Sequence, residues 1–114
     1  MGTQIVQRRT ALDMNLTNVS EITEATTLTL DQTVVHATAN TATDSYSITL
    51  PSVIEAAGLF FSISGTIANG KAITLVDQDD SYDWNGDYTI DTDVDGILLY
   101  SDGRTWWVPE NRIA

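Results

Sequence analysis

Ile97-Leu98-Leu99-Tyr100-Ser101-Asp102-Gly103-Arg104-Thr105-Trp106-Trp107-Val108 is the stretch whose reading decides the fold. Two short runs of β-branched and aromatic residues flank Asp102-Gly103. Asp-Gly is a strong hairpin signal, because both central residues of a type I′ turn need positive φ. The segment reads as strand, tight turn, strand, and carries two of the three tryptophans. The same turn chemistry recurs at Asn69-Gly70 and Asn85-Gly86.

Working outward, the chain from Thr26 has a period of two. Leu28 and Leu30 share one face of Thr27–Leu30; Val35, Ala37 and Ala39 share one face of Thr33–Ala39. Asn40–Asp44 is turn chemistry, and Ser45–Leu50 places Tyr46, Ile48 and Leu50 inward. Pro51 ends that strand, since it has no N–H to give a ladder. Ser52-Val53-Ile54-Glu55 matches a capping box, Ala56-Ala57 favour helix, and Gly58 suits a left-handed exit. A short helical turn is therefore expected at about 52–57, plugging one end of the β structure. Leu59, Phe61 and Ile63 share the next apolar face, the Asn69-Gly70 turn leads back through Ala72–Val76, and Tyr82–Trp84 with Tyr88–Ile90 flank Asn85-Gly86 as a further hairpin. The expected fold is all-β: a small antiparallel β-sandwich or barrel of short hairpins, with one helical turn and an extended N-terminal arm. The arm is assigned to residues 1–25 and a single β domain to 26–114.

At 114 residues and 42% apolar, the chain has material for one core. Sixteen acidic against five basic side chains give a net charge of −11, which argues against nucleic acid and anionic membrane as partners. With no cysteine, disulfides and thiolate metal sites are excluded. Met1–Thr10 lacks the apolar segment of a signal peptide, so synthesis in a cytoplasm is expected. Asn15-Leu16-Thr17 and Asn18-Val19-Ser20 match a glycosylation sequon and, without a secretory signal, read as polar loop. The arm holds Arg8 and Arg9 beside Ile5 and Val6, and reads either as a frayed terminus or as a segment that docks on a partner.

Asp91-Thr92-Asp93-Val94-Asp95-Gly96 fits the first six positions of an EF-hand calcium loop, and Asp102 supplies the acid at position 12. Aspartate there reaches less far than glutamate, and the flanks have β periodicity, so no metal or other cofactor is assigned. Asp77–Asp83 reads as a solvated acidic loop. His36, the sole histidine, lies opposite in phase to Val35 and Ala37, a surface or seam position. Ser64 lacks the first glycine of a nucleophile elbow, and no P-loop, dinucleotide fingerprint or H-E-x-x-H occurs. No catalytic residue is assigned. Trp106 and Trp107, being adjacent, point to opposite faces of a strand. One can be core; the other needs the helical plug, a second subunit or a ligand. Trp84, Trp106 and Trp107 are candidates for a subunit interface or for stacking on a ligand such as a sugar.

The order Ser-Ile-Thr-Leu-Pro-Ser … Glu-Ala-Ala-Gly-Leu-Phe-Phe-Ser-Ile (47–63), an Asn-Gly turn, then Leu-Tyr-Ser-Asp-Gly-Arg-Thr-Trp-Trp (99–107) resembles a β module of tailed-phage structural proteins. In such modules an alternating strand ends in Leu-Pro, a short turn ends in Gly, and the chain closes on a Ser-Asp-Gly-x-x-Trp hairpin. The resemblance covers about residues 26 to 109. It implies homotrimers, a virion location and no catalytic residues. The absence of a fibre shaft is most similar to a capsid decoration, or cement, protein, bound to the major capsid protein on the outer head surface. On that reading Ile5, Val6, Arg8 and Arg9 are the capsid-contact candidates. The alternative expectation is a carbohydrate- or receptor-binding module of a phage head or tail fibre.

Overall fold

In the computed structural model, which describes residues 19–40, 44–84 and 86–113, the chain passes back and forth between two β-sheets. β1 (Val19–Ile22), β3 (Val34–Ala39), β5 (Phe60–Ile67), β8 (Gly96–Ser101) and β9 (Trp106–Asn111) form a five-stranded sheet in the order β1-β3-β5-β8-β9. β2 (Thr26–Thr27), β4 (Tyr46–Thr49), β6 (Ile73–Val76) and β7 (Tyr88–Ile90) form a four-stranded sheet in the order β2-β4-β6-β7. The chain is all-β, with no helix among the described residues.

Both sheets are mixed, which corrects the expected antiparallel set of hairpins. β1, β3 and β5 run parallel, as do β2, β4 and β6. Each parallel neighbour is reached only after a strand in the other sheet, which supplies the long crossover that parallel pairing requires. Among the described residues, antiparallel pairing is confined to β5–β8, β8–β9 and β6–β7. Gly70, with φ of +83°, does make a turn, closed by the Lys71 amide on the Ala68 carbonyl at 3.0 Å. That turn joins β5 to β6 in the opposite sheet, so it is not a hairpin. Asn85 lies outside the described residues, and β7 pairs with β6 instead of with residues 82–84.

The closing hairpin forms, since β8 pairs with β9, but through the four-residue loop 102–105. Gly103 has φ of +96° and Asp102 does not share it. The Asp102 carboxylate accepts the Arg104 and Thr105 amides at 2.9 and 3.0 Å, and this side-chain turn replaces the type I′ geometry.

The helical turn expected at 52–57 is also corrected. Ala56 donates to the Ser52 carbonyl at 2.9 Å, but the pattern does not propagate. The Val53 amide is taken by Asp79 at 2.7 Å, from 26 residues away, and Ala57 leaves the turn to bridge Ser101. Residues 53–56 are thus a chain of turns, pinned at both ends by tertiary contacts. Gly58 takes the expected left-handed exit, with φ of +84°.

Strand faces follow the alternation. Val35, Ala37, Ala39, Ile48, Leu50, Phe61, Ile63, Ile73 and Leu75 are buried, and both sheets contribute to one hydrophobic core. Leu28 joins it, whereas Leu30 lies in a turn beyond the two-residue β2 and is exposed, contrary to the shared face expected. Phe61 meets Trp106 edge-on, with ring centroids 5.6 Å apart. Tyr46 crosses from the four-stranded sheet to donate towards the Ile22 and Thr38 carbonyls at 3.1 and 2.8 Å. Part of the stretch assigned to the arm is integral to the fold: β1 pairs with β3, and Ile22 enters the core. Residues 1–18, including Ile5, Val6, Arg8 and Arg9, lie outside the described residues.

Candidate interaction sites

Alternation that sends one set of side chains inward leaves the other set on the outer face of the sheet. On the five-stranded sheet, strand register places Phe60 of β5 beside Tyr100 of β8, and Tyr100 beside Trp107 of β9. The Phe60 and Tyr100 rings are 4.9 Å apart. The next row carries Val34, Ser62 and Leu98. Phe60 is 54% exposed, Val34 43% and Trp107 40%. Apart from Ser62, these side chains form an apolar patch on the order of a few hundred Å², the size at which a monomer's largest patch is often functional.

The same face carries few carboxylates. Its strand carboxylates are Glu21, which meets His36 Nδ1 at 2.9 Å, and Glu110, which meets Arg112 Nε at 3.2 Å. His36 Nε2 lies 2.9 Å from Thr66 Oγ1, so the histidine spans β1, β3 and β5 as a seam residue. Most of the acidic side chains instead lie between residues 77 and 102, chiefly in the loops around β7.

Several of those carboxylates are committed to the chain's own backbone. Asp93 accepts the Ile67 amide at 2.6 Å, and buried Asp95 accepts the Asp91 amide at 3.0 Å. Residues 96–101 form β8, so the second half of the EF-hand pattern is strand. No group of three or more metal-ligating side chains is placed to hold an ion among the described residues. Asp77, read from sequence as part of a solvated loop, is buried and binds Ser81.

The structure brings Trp84, Trp106 and Trp107 together along one open cavity of about 410 Å³. Trp106 is core, at 1% exposure; Trp107 is outward, as adjacent strand positions require. Trp84 is half-buried, packs edge-on against Tyr88 at 5.0 Å, and donates from Nε1 to Asp87 at 3.1 Å. A second cavity of about 340 Å³, lined by Arg104 and Thr105, shares Tyr82 and Asp83 with the first. Phe60, Tyr100 and Val34 were missed from sequence. Their one local signal is an apolar residue in the outward phase of an alternating strand, and only register shows that they adjoin.

Trp107 also donates from Nε1 to Asp102 at 2.9 Å. That bond, followed by the amides of Arg104 and Thr105, lowers the Asp102 pKa to about 2. A carboxyl depressed in the folded state adds stability above its unfolded pKa, and the contribution is lost as pH falls through about 2. Trp107→Phe is expected to move Asp102 upward from about 2 towards the ordinary 3.8, followed by carboxyl-carbon NMR. An unmoved titration would show that the loop amides alone set it. Comparison with family models, with curated proteins and with solved structures yields no match to this chain.

Proposed function

We propose that the protein is a non-enzymatic structural component that works as a homo-oligomer, assembled through the outer face of the five-stranded sheet. The supporting observation is the Phe60–Tyr100–Trp107 row, an exposed aromatic surface on a chain of net charge −11. Like-charged chains repel, and association is least opposed where carboxylates are few and already paired. Aromatic side chains are also the residues that dominate interface cores.

The finer form of this reading is a homotrimeric capsid decoration protein on the outer head surface of a tailed phage, as the sequence resemblance suggests. A trimer engages a shell at several points at once, so modest contacts combine into strong binding. Binding to the assembled shell stabilises it by mass action. The capsid-contact candidates remain Ile5, Val6, Arg8 and Arg9.

Light scattering on the purified chain is expected to give three times the monomer mass. Combining Phe60→Ser with Trp107→Ser should lower the association constant at least about tenfold, roughly 1.4 kcal/mol, while circular dichroism stays unchanged. A monomeric wild type at micromolar to millimolar concentrations would remove the self-association reading. Failure of the oligomer to bind expanded, undecorated capsids would remove the decoration role alone.

A further inference from the structure

The groove made by the two adjoining cavities has features that neither the core nor the sheet face explains. Trp84 and Tyr88 line the larger cavity, their rings edge-on with centroids 5.0 Å apart. Tyr82, on the wall shared by the cavities, is 89% exposed. The loop presenting it is anchored on both sides. Ser81 is bound through its amide and hydroxyl to Asp77, and the Asp83 amide donates to Thr105 Oγ1 at 2.8 Å. The loop therefore holds an exposed ring on a well-anchored backbone, the preorganisation that favours binding.

We propose that this groove is a binding site for a neutral oligosaccharide. Tyr82, Trp84 and Tyr88 offer ring surface for the C–H faces of pyranose rings, as aromatic side chains do for apolar ligand surface. Asp83 accepts hydrogen bonds from sugar hydroxyls, and Arg104 donates to them from the smaller cavity. Charge selects among ligands. An anion meets Asp83 and the field of a chain with net charge −11. An ammonium ligand would satisfy the rings and Asp83, but is opposed by Arg104 and offers it no acceptor. A neutral polyhydroxyl ligand suits all of these groups. The inference rests on the loop after β6; Trp107 alone is shared between this groove and the Phe60–Tyr100–Trp107 row.

The test uses the intact chain, uniformly labelled with nitrogen-15, and an array of neutral and anionic oligosaccharides. Maltohexaose, cellohexaose, mannohexaose and chitohexaose serve as the first neutral probes in solution. Binding of a neutral glycan is expected, with a shift of the Trp84 indole N–H resonance, assigned through Trp84→Phe. Tyr82→Ser and Asp83→Asn should each weaken binding by about tenfold or more, with the amide spectrum and oligomeric mass retained. The proposal is overturned if no neutral glycan on the array binds, or if only anionic glycans do. It is equally overturned if affinity survives both substitutions, or if the Trp84 indole resonance does not respond to a bound glycan.

Discussion

Alanine at position 65 is expected to destabilise the fold by about 3 kcal/mol, the upper part of the range for a side chain forced into packed space. Gly65 lies in the middle of β5 and pairs in parallel register with Ala37 of β3. A Cβ added there would lie 2.7 Å from the Ala37 carbonyl oxygen and 3.1 Å from Ile67 Cδ1. The first obstacle is backbone in a central strand, so relief requires β3 and β5 to separate instead of a side chain to rotate. Gly96 of β8 provides the control, because its Cβ would meet nothing closer than the Ile63 carbonyl oxygen at 3.6 Å. Gly96→Ala should therefore stay within about 0.5 kcal/mol, as changes without a clash usually do. Both values come from urea unfolding at equilibrium. Equal midpoints for the two variants would show that the close approach of β3 to β5 does not govern stability. No turn or motif in the sequence singles out Gly65; its role is steric.

The inward faces were legible because alternation is local. Val35, Ala37 and Ala39 could be grouped from seven consecutive residues, and Tyr46, Ile48 and Leu50 from six. Beyond the closing β8–β9 hairpin, strand partners were not legible, for a physical reason. A turn such as Asn69-Gly70 reverses the chain equally well into a hairpin or into a facing sheet, and only the core that both sheets share decides between them. The helical turn failed on the same ground: a local capping signal at Ser52–Glu55 lost to Asp79, which is remote in sequence and takes the Val53 amide. The three tryptophans could be singled out by residue type alone, whereas the aromatic row exists only in the register β5-β8-β9.

Replacing Asp77 by alanine should cost about 3–4 kcal/mol, a sum of unpaired buried groups more than the loss of any single contact. The carboxylate follows β6 and is almost fully enclosed. Oδ1 accepts the Asp79 amide at 3.0 Å; Oδ2 accepts the Ser81 amide at 2.7 Å and the Ser81 hydroxyl at 2.6 Å. Ser81 Oγ in turn accepts the Thr105 hydroxyl and the Trp106 amide, each at 3.3 Å. One carboxylate thus organises the loop after β6 and, through Ser81, ties it to the β8–β9 hairpin. Asp79→Ala breaks only the half-buried bond to the Val53 amide and is expected to cost about 1 kcal/mol. Asp77→Asn should fall between them, since it keeps an acceptor for one amide but replaces part of the carboxylate by a donor facing other donors. The damage should also be local before it is global. Amide exchange at residues 79–84 is expected to accelerate at denaturant concentrations that leave the β3 and β5 amides protected. Uniform acceleration across β3, β5 and the loop would instead make Asp77 a support of the whole core. Because Tyr82 and Asp83 ride on this loop, the local outcome also predicts weaker glycan binding by Asp77→Ala in a protein whose aromatic sheet face and oligomeric mass are unchanged.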